Sequence, residues 1–307
     1  INQLITSGGL KKAEDLLRRT RVILKAAPKE VWILASWLLG FYRKVALRYF
    51  ETGDLEGVER ALSNSDKILL EYSEIIEQVK EQTLGVIMEY GRLASLATEK
   101  CKKVDIEKTT KETERERAER ALIKIKELLK LGYISQEQSI KQTIYLIAGF
   151  NYLASLSTDA GDLARSERLL RYAEELITPE LGIQEIKNQA IFILKEYRRL
   201  ASKSMGLGKF GRAERILSKK IQELLQKDYL TEKERREEIG SLIELYERFI
   251  AESEKSGKQE DIERAERSGE DIRKLREIYA SSPVTSEGDF VGSRRNREAF
   301  FKAQGID

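Results

Sequence analysis

Apolar residues recur along the chain at helical spacing, and one five-residue pattern returns five times. Each copy has an aromatic residue, two mostly polar residues, an apolar residue and a small or apolar residue. Apolar residues also stand three and four positions before each aromatic, which completes one apolar stripe along an α-helix. The pattern therefore predicts five amphipathic helices of one type. The aromatic residues, here called the anchors, are Tyr42, Tyr90, Phe150, Tyr197 and Tyr246.

A second helix is predicted downstream of each of these first helices. Eleven residues beyond four of the anchors stands a glycine, which adopts a positive φ angle without a steric penalty and so permits a tight turn. Five residues later a small or aliphatic residue precedes a Glu-Arg dyad and further apolar positions. The unit is therefore an antiparallel helix pair. The turn glycines are Gly53, Gly161, Gly208 and Gly257.

The Glu-Arg dyads can be interpreted in two ways, as structural or as functional residues. We interpret them as ion pairs that connect adjacent helices, each contributing less than about 1 kcal/mol if exposed. A functional charge ladder along the array is the alternative. The dyads are Glu59-Arg60, Glu119-Arg120, Glu167-Arg168, Glu214-Arg215 and Glu263-Arg264.

The spacing of the anchors gives the length of the repeat. They are 48, 60, 47 and 49 residues apart, so the helix pair returns about every 48 residues. In the long second repeat Cys101 replaces the turn glycine, and the dyad comes 12 residues late. We therefore predict a 12-residue insertion at about 102–113, in the loop between the two helices of this repeat.

Helix N-terminal signals lie at the boundaries between repeats. Ser135 with Gln138 and Thr231 with Glu234 match the capping box, in which each residue's side chain bonds the other's backbone. Thr178 precedes a proline at a first-turn position. These signals place the start of a new helix pair where the anchors require one.

The repeats divide the chain into three parts. Residues 27–279 predict five helix pairs, and residues 1–26 predict the second helix of a truncated pair, since Gly8 and Ala13 match the turn glycine and the small residue. Residues 280–307 form a tail of different composition. One helix pair cannot bury its apolar face alone, so the pairs should stack. We expect the chain to belong to a longer array or larger complex, or to have its exposed end covered by a partner.

The repeat resembles that of the tetratricopeptide family. The resemblance covers about residues 30–275 and implies an all-α fold, a right-handed α-solenoid of antiparallel helix pairs. This repeat is longer than the family's, and Glu266 stands where the last second helix should have a bulky apolar residue. The fourth repeat matches six family positions, at Tyr197, Leu200, Ala201, Gly208, Ala213 and Leu217.

The amino-acid composition limits the classes of function that the protein can have. The chain has 55 basic and 52 acidic residues and a net charge of +3, too balanced for a typical nucleic-acid or membrane binder. Without histidine it lacks the commonest general base and metal ligand, and its single cysteine excludes an intrachain disulfide. The most apolar stretch, 31–42, is shorter than the roughly 20 residues of a membrane span. We predict no catalysis, no cofactor, no membrane span and a cytoplasmic location.

The resemblance implies that the first helices line a concave groove, with positions one and five residues after the anchors facing it. Arginines, an asparagine and hydroxyls there would suit partners with acidic or extended segments. The alternative is that these are ordinary solvated helix positions. The candidates are Arg43, Asn151, Arg198, Ser95, Ser155 and Ser202.

Three further features are candidates. Trp32 and Trp37 lie in the most apolar helix, where core packing is the default and an exposed face would be a partner surface. Phe300 and Phe301 of the tail would act as a docking peptide or as a clasp onto the array. Cys101 has lysine neighbours, but no histidine or second cysteine accompanies it, so we interpret it as structural.

The sequence thus favours a non-catalytic protein–protein interaction scaffold or structural subunit. A nucleic-acid-binding array is the alternative. It would use the arginines of the first helices, Arg43, Arg92, Arg198, Arg199 and Arg248.

Overall fold

The computed structural model describes residues 1–24, 31–72, 80–102, 107–226 and 230–281, and within these ranges every regular element is helical. The all-α fold expected from the sequence is therefore confirmed. The helices cluster into unit 1, residues 1–207, and unit 2, which begins at Gly208. The α-helices are α1 (Asn2–Thr6), α2 (Leu10–Leu24), α3 (Val31–Thr52), α4 (Leu55–Glu71), α5 (Lys80–Lys102), α6 (Lys108–Lys130), α7 (Gln136–Asp159), α8 (Leu163–Glu174), α9 (Ile183–Gly206), α10 (Phe210–Arg215), α11 (Gln222–Gln226), α12 (Glu232–Lys255) and α13 (Gln259–Ser281).

Helices that follow one another in the chain pack together as pairs. In unit 1 the most extensive contacts join α3 to α4, α5 to α6 and α7 to α8, and in unit 2 they join α12 to α13. Every anchor is at most 2% exposed, and the apolar residue three positions after each anchor is also buried. The apolar stripes deduced from the sequence are therefore the cores of these helix pairs.

The turn glycines have the backbone conformation that the sequence predicts. Gly53 has φ of +73° and Gly161 has φ of +81°. An added Cβ at either position would meet no atom within 4 Å, so the requirement for glycine lies in the backbone and not in packing. The next residue caps the second helix: Asp54 accepts a hydrogen bond from the Gly57 amide at 2.8 Å, and Asp162 caps α8 in the same way.

The second repeat turns without a glycine. Helix α5 continues through Cys101 to Lys102, and α6 begins at Lys108. The prediction of a loop insertion at 102–113 was therefore wrong for Lys102, which ends α5, and for residues 108–113, which form the first turns of α6. Most of the extra residues lengthen a helix, and the dyad of this repeat consequently lies deep inside α6 rather than near its start. Residues 103–106 lie outside the described ranges.

The helix N-termini between repeats are of two kinds. Ser135 and Gln138 form the predicted capping box of α7, and Thr231 and Glu234 form that of α12. Thr178 instead precedes a short 3₁₀ helix, Pro179–Leu181, and its side chain makes no capping hydrogen bond there.

A π-helix interrupts the second helix of the fourth repeat. Residues Ile216–Ile221 join α10 to α11 with this wider winding. A π-turn accommodates one residue more than an α-turn over the same length. In α8 the buried residue Ala173 comes seven positions after Ser166, whereas here Ile221 comes eight positions after Ala213. The π-helix therefore absorbs a one-residue insertion.

Candidate partner-binding surface

The predicted groove residue Arg43 lies between two first helices of unit 1. Its guanidinium covers Gly85 of α5 so closely that a side chain there would collide with it. Arg43 also donates a hydrogen bond to Gln82 at 3.1 Å and lies 3.9 Å from the Glu89 carboxylate. Arg43 therefore packs α3 against α5 rather than presenting a free cation to solvent.

The same relationship recurs between α5 and α7 with the large and small residues exchanged. The ring of Tyr145 covers Gly91, and its hydroxyl donates a hydrogen bond to the Gly91 carbonyl at 2.7 Å. The hydroxyl also lies 2.8 Å from that of Ser95, which ties this candidate residue to α7. Position one after the anchor thus packs against position five before the next anchor.

The remaining groove candidates of unit 1 are partly engaged within the protein. Asn151 of α7 is fully buried, and neither of its amide atoms has a hydrogen-bond partner in the described part of the chain. Ser155 accepts a hydrogen bond from Arg199 of α9. Arg198 and Ser202 are half-buried on α9. Phe300 and Phe301 lie outside the described residues, so the docking role of the tail stays a prediction.

The first helices expose a different set of residues, on α3 and α5. Trp37 is 63% exposed and Met88 is 58% exposed, so the core interpretation was wrong for Trp37; the side chain of Trp32 is outside the described set. Lys44 follows Trp37 by two helical turns, and Arg92 follows Met88 by one, so each pair lies on one side of its helix. We call Trp37, Lys44, Met88, Arg92 and Ser95 the α3–α5 surface. It has two parts, because Trp37 stands five residues before its anchor and so lies on the side of α3 that faces the preceding repeat, whereas Arg92 lies against Phe50 of α3.

Aromatic rings hold the two cations of this surface. The Arg92 guanidinium lies 4.7 Å from the centre of the Phe50 ring, and the Lys44 ammonium lies 5.5 Å from that of Phe41. Within the described ranges neither cation has a carboxylate within 4 Å, although Lys44 donates a 3.4 Å hydrogen bond to Asn2. Their charges therefore remain available to an anionic group.

The second helices carry a ladder of ion pairs between adjacent repeats. Glu59 of α4 accepts from Arg120 of α6 at 2.6 Å and from Arg117 at 3.3 Å. Burial opposes the ionisation of Glu59, but the hydrogen bonds and charges of the two arginines outweigh it and lower its pKa. Within unit 2, Glu214 binds Arg264 and Arg267 in the same manner. The structural interpretation is confirmed for Glu59, Glu119 and Glu214, each of which binds two arginines of the next repeat.

This ladder corrects the register of the fifth repeat. The arginines that bind Glu214 match Arg117 and Arg120, so the fifth motif is Arg264-Ala265-Glu266-Arg267. Assigning the dyad to Glu263-Arg264 placed it one turn too early. Ala265 is buried and Glu266 is exposed, as the corrected register requires. The signal in the sequence was an arginine two positions before the glutamate, which the second to fifth repeats share.

In the first repeat a glycine stands where the later repeats have this arginine: Gly57 comes two positions before Glu59. The ring of Tyr49 covers Gly57, where an added Cβ would lie 2.5 Å from the ring. The Tyr49 ring therefore leaves no room for a side chain at this position of the first repeat. Glu14 of α2 is left with the looser partner Arg60, at 3.8 Å.

A second recurring contact joins a polar residue of one repeat to the anchor of the next. Asp66 accepts a hydrogen bond from Tyr90 at 2.6 Å, and Glu174 accepts one from Tyr197 at 3.2 Å. Both acids come eight residues after the small residue of their helix. In unit 2 Gln222 contacts Tyr246 and comes nine residues after Ala213, because the π-helix intervenes. Sequence periodicity alone could not reveal this displaced partner.

Cys101 is a buried structural residue. Its thiol donates a hydrogen bond to the Ala97 carbonyl at 3.2 Å, and burial raises its pKa above the ordinary value. The thiol is therefore protonated at neutral pH and is a poor nucleophile.

The described residues offer neither a metal site nor a membrane span. They contain no cluster of three or more cysteine, aspartate or glutamate side chains arranged to hold a metal ion. None of their helices combines the length and the apolar character needed to cross a membrane.

Comparison with known proteins gives only loose structural similarities. No family model matches, and no curated protein matches. A circular tandem repeat protein with novel repeat topology is 16% identical over 90% of this chain and 69% of its own, with a TM-score of 0.39. BtubC (BKLC) from P. vanneervenii is 13% identical over 92% and 97%, with a TM-score of 0.28.

A de novo designed helical repeat protein, DHR64, is 20% identical over 87% of this chain and 97% of its own, with a TM-score of 0.20. These superpositions are loose, and the all-α assignment rests on the helices described above.

Proposed function

We propose that this protein is a non-catalytic scaffold of tetratricopeptide-like helix pairs that binds other proteins through its first helices, with the α3–α5 surface as the principal contact. The observation that carries the proposal is the exposure of Trp37 and Met88 beside two cations that lack carboxylate partners. Large exposed apolar side chains rimmed by polar residues mark interaction sites. The right-handed winding and the cytoplasmic location remain expectations from the sequence.

The partner that best suits this surface is a segment carrying acidic and apolar side chains. Tryptophan and methionine adapt to apolar groups and bury large areas. Arg92 can bind a carboxylate in two-point geometry while Phe50 holds its guanidinium plane. Lys44 adds a second positive charge on the neighbouring helix. An acidic and apolar segment could therefore bind at Met88 and Arg92 on α5 or at Trp37 and Lys44 on α3.

The residues proposed from the family pattern take different parts in this function. Arg43 supports the packing of α3 against α5, and Asn151 is buried on α7. Ser95 lies at the edge of the α3–α5 surface, where its hydroxyl can also bond a partner. Ser155, Arg198 and Ser202 would extend contact toward α9, and Phe300 with Phe301 would form a second contact from the tail.

A non-catalytic role is supported by the way buried charges are used. Glu119 and Arg165 are both buried, and they pair with each other between repeats. Their charges thus serve packing. Together with the lack of histidine in the sequence, this favours binding over catalysis.

Selection from a library of short random peptides displayed on phage tests the proposal. We expect enrichment of peptides that combine acidic with aromatic or aliphatic residues. Trp37→Ala and Arg92→Glu should each weaken binding of the selected peptides at least about tenfold, the effect of losing roughly 1.4 kcal/mol. Leu70→Ala and Lys12→Glu are matched controls, because both residues are exposed on second helices.

The assignment of the surface would be overturned if the control variants lost as much peptide affinity as Trp37→Ala and Arg92→Glu. It would also be overturned if the selected peptides bound these two variants as tightly as wild type. A short single-stranded DNA serves as a second probe. Binding of this DNA that falls steeply with salt and requires Arg92 would favour the nucleic-acid alternative over the protein partner.

A further inference from the structure

Asp66 occupies an unusual place at the junction of the first two repeats. It lies on α4, is 4% exposed, and faces the anchor Tyr90 of α5. One carboxylate oxygen accepts the Tyr90 hydroxyl at 2.6 Å, and the other is buried without a hydrogen-bond partner in the described part of the chain. A buried carboxylate with one hydrogen bond is costly to ionise.

The charged groups around Asp66 do not neutralise it. Lys67 is its neighbour on α4 and points to solvent, as its exposure shows. From α6, Lys124 and Glu127 act on Asp66 with opposite signs, and they pair with each other at 2.7 Å. Tyr90 is the titratable group that α5 contributes. Burial dominates over these groups and raises the pKa of Asp66 to about 6.

Equivalent positions in other repeats lack this property. Glu174 contacts Tyr197 but is half-buried, and Lys126 stands at the corresponding place of the second repeat and pairs with Glu175. In unit 2 the place is taken by Gln222, a neutral amide. Among the described repeats, a fully buried carboxylate occurs at this position only in the first.

We propose that Asp66 makes the packing of α5 against α4 sensitive to pH: the neutral carboxyl stabilises this packing, and ionisation loosens α5. Met88 and Arg92 lie two residues before and after Tyr90 on the same helix. Loosening of α5 therefore reaches the α3–α5 surface, and this consequence for binding rests on the proposed function. The pH response itself requires no binding partner.

Amide hydrogen exchange of the full chain, without any partner, tests the proposal. Exchange in α5 is measured at about pH 5 and about pH 7.5 and corrected for the intrinsic rate. The wild-type protection of α5 should fall about tenfold between these values, because Asp66 loses its proton only in the folded state over this range. In Asp66→Asn the protection should change far less, since an amide does not titrate.

Tyr90→Phe is a second variant, and we expect it to fold because the third repeat already has a buried phenylalanine, Phe150, as its anchor. It removes the hydrogen bond that favours the ionised carboxyl, so the fall in protection should be larger than in wild type. Constant wild-type protection, or an equal fall in Asp66→Asn, would overturn the pH response. If Asp66→Asn does not fold, Tyr90→Phe decides alone. A fall in its α5 protection that is no larger than the wild-type fall would then overturn the pH response.

These outcomes are independent of the peptide selection. Failure of the exchange experiment leaves the α3–α5 surface as a binding site, and failure of the peptide experiment leaves the Asp66 response intact.

Discussion

The Nε atom of Arg165 on α8 lies 2.8 Å from a carboxylate oxygen of Glu119 on α6, and the two side chains are only 6% and 9% exposed. The other carboxylate oxygen binds Arg168, also at 2.8 Å. One glutamate thus joins consecutive helix pairs through two arginines spaced by one turn. Since the same geometry recurs at Glu59 and within unit 2 at Glu214, these contacts define how one repeat is registered on the next.

Removing a carboxylate from the ladder should strongly destabilise the protein. We expect Glu119→Ala to lower the free energy of unfolding by about 1–3 kcal/mol, because buried Arg165 would lose one of its two carboxylate partners and keep only Glu112. Urea denaturation measures this. Glu116→Ala is the control on the same helix; Glu116 is exposed, so its loss should cost less than about 0.5 kcal/mol. Similar midpoints for the two variants would contradict the structural role of the ladder.

Two glycines should respond to alanine with opposite signs. Gly53→Ala should lower the free energy of unfolding by about 1–2 kcal/mol, because φ of +73° is unfavourable for any residue with a Cβ. Gly269→Ala should raise it by about 0.5–1 kcal/mol, because Gly269 lies inside α13 and a Cβ would meet no atom within 4 Å. Thermal unfolding distinguishes them, and a shift of the same sign in both would refute the account.

The buried face of α9, the first helix of the fourth repeat, should tolerate neither a larger side chain nor a charged one. Ala201 and Leu200 are both fully buried on α9. Ala201→Trp should cost about 1–3 kcal/mol through overpacking, and Leu200→Asp should cost more because a carboxylate would be buried without a partner. Lys203→Asp, at an exposed position of the same helix, is the control. Wild-type thermal stability in the first two variants would defeat the packing assigned to α9.

The stability of the protein should carry a pH dependence that belongs to Asp66. Its folded pKa of about 6 exceeds the ordinary 3.8, so the folded state binds the proton more tightly. The stabilising contribution is complete below about pH 4 and is lost as pH rises through about 6. Its size is about 3 kcal/mol. Subtracting the unfolding free energy of Asp66→Asn from that of wild type across this range should isolate the loss; a flat difference would exclude it.

The fold was predictable because its signals are local. An anchor such as Phe150, with apolar residues three and four positions away, specifies a helix whatever surrounds it. Gly161 at φ of +81° specifies a turn by backbone chemistry alone. The insertion was misplaced because polar residues such as those of 108–113 suit both a loop and an exposed helix end. The π-helix was missed because no residue of Ile216–Ile221 marks it; it follows from the packing of its neighbours.

The candidate surface was harder to predict than the fold. Arg43 and Ser95 occupy positions that the family pattern assigns to a groove, yet their partners lie on the adjacent first helix. Whether a polar residue points to solvent or to a neighbour depends on the size of the facing residue, as Arg43 against Gly85 shows. Trp37 shows the converse, because an aromatic residue in an apolar helix is buried only if another helix covers it.

The π-helix at Ile216–Ile221 shows how the array tolerates a change in chain length. One additional residue is stored as a wider turn, and Gln222 still meets Tyr246 of the next helix pair. A one-residue insertion can therefore enter a second helix without shifting the pair that follows. The contact point between two helices is therefore kept from repeat to repeat, while the number of residues that lead to it can change.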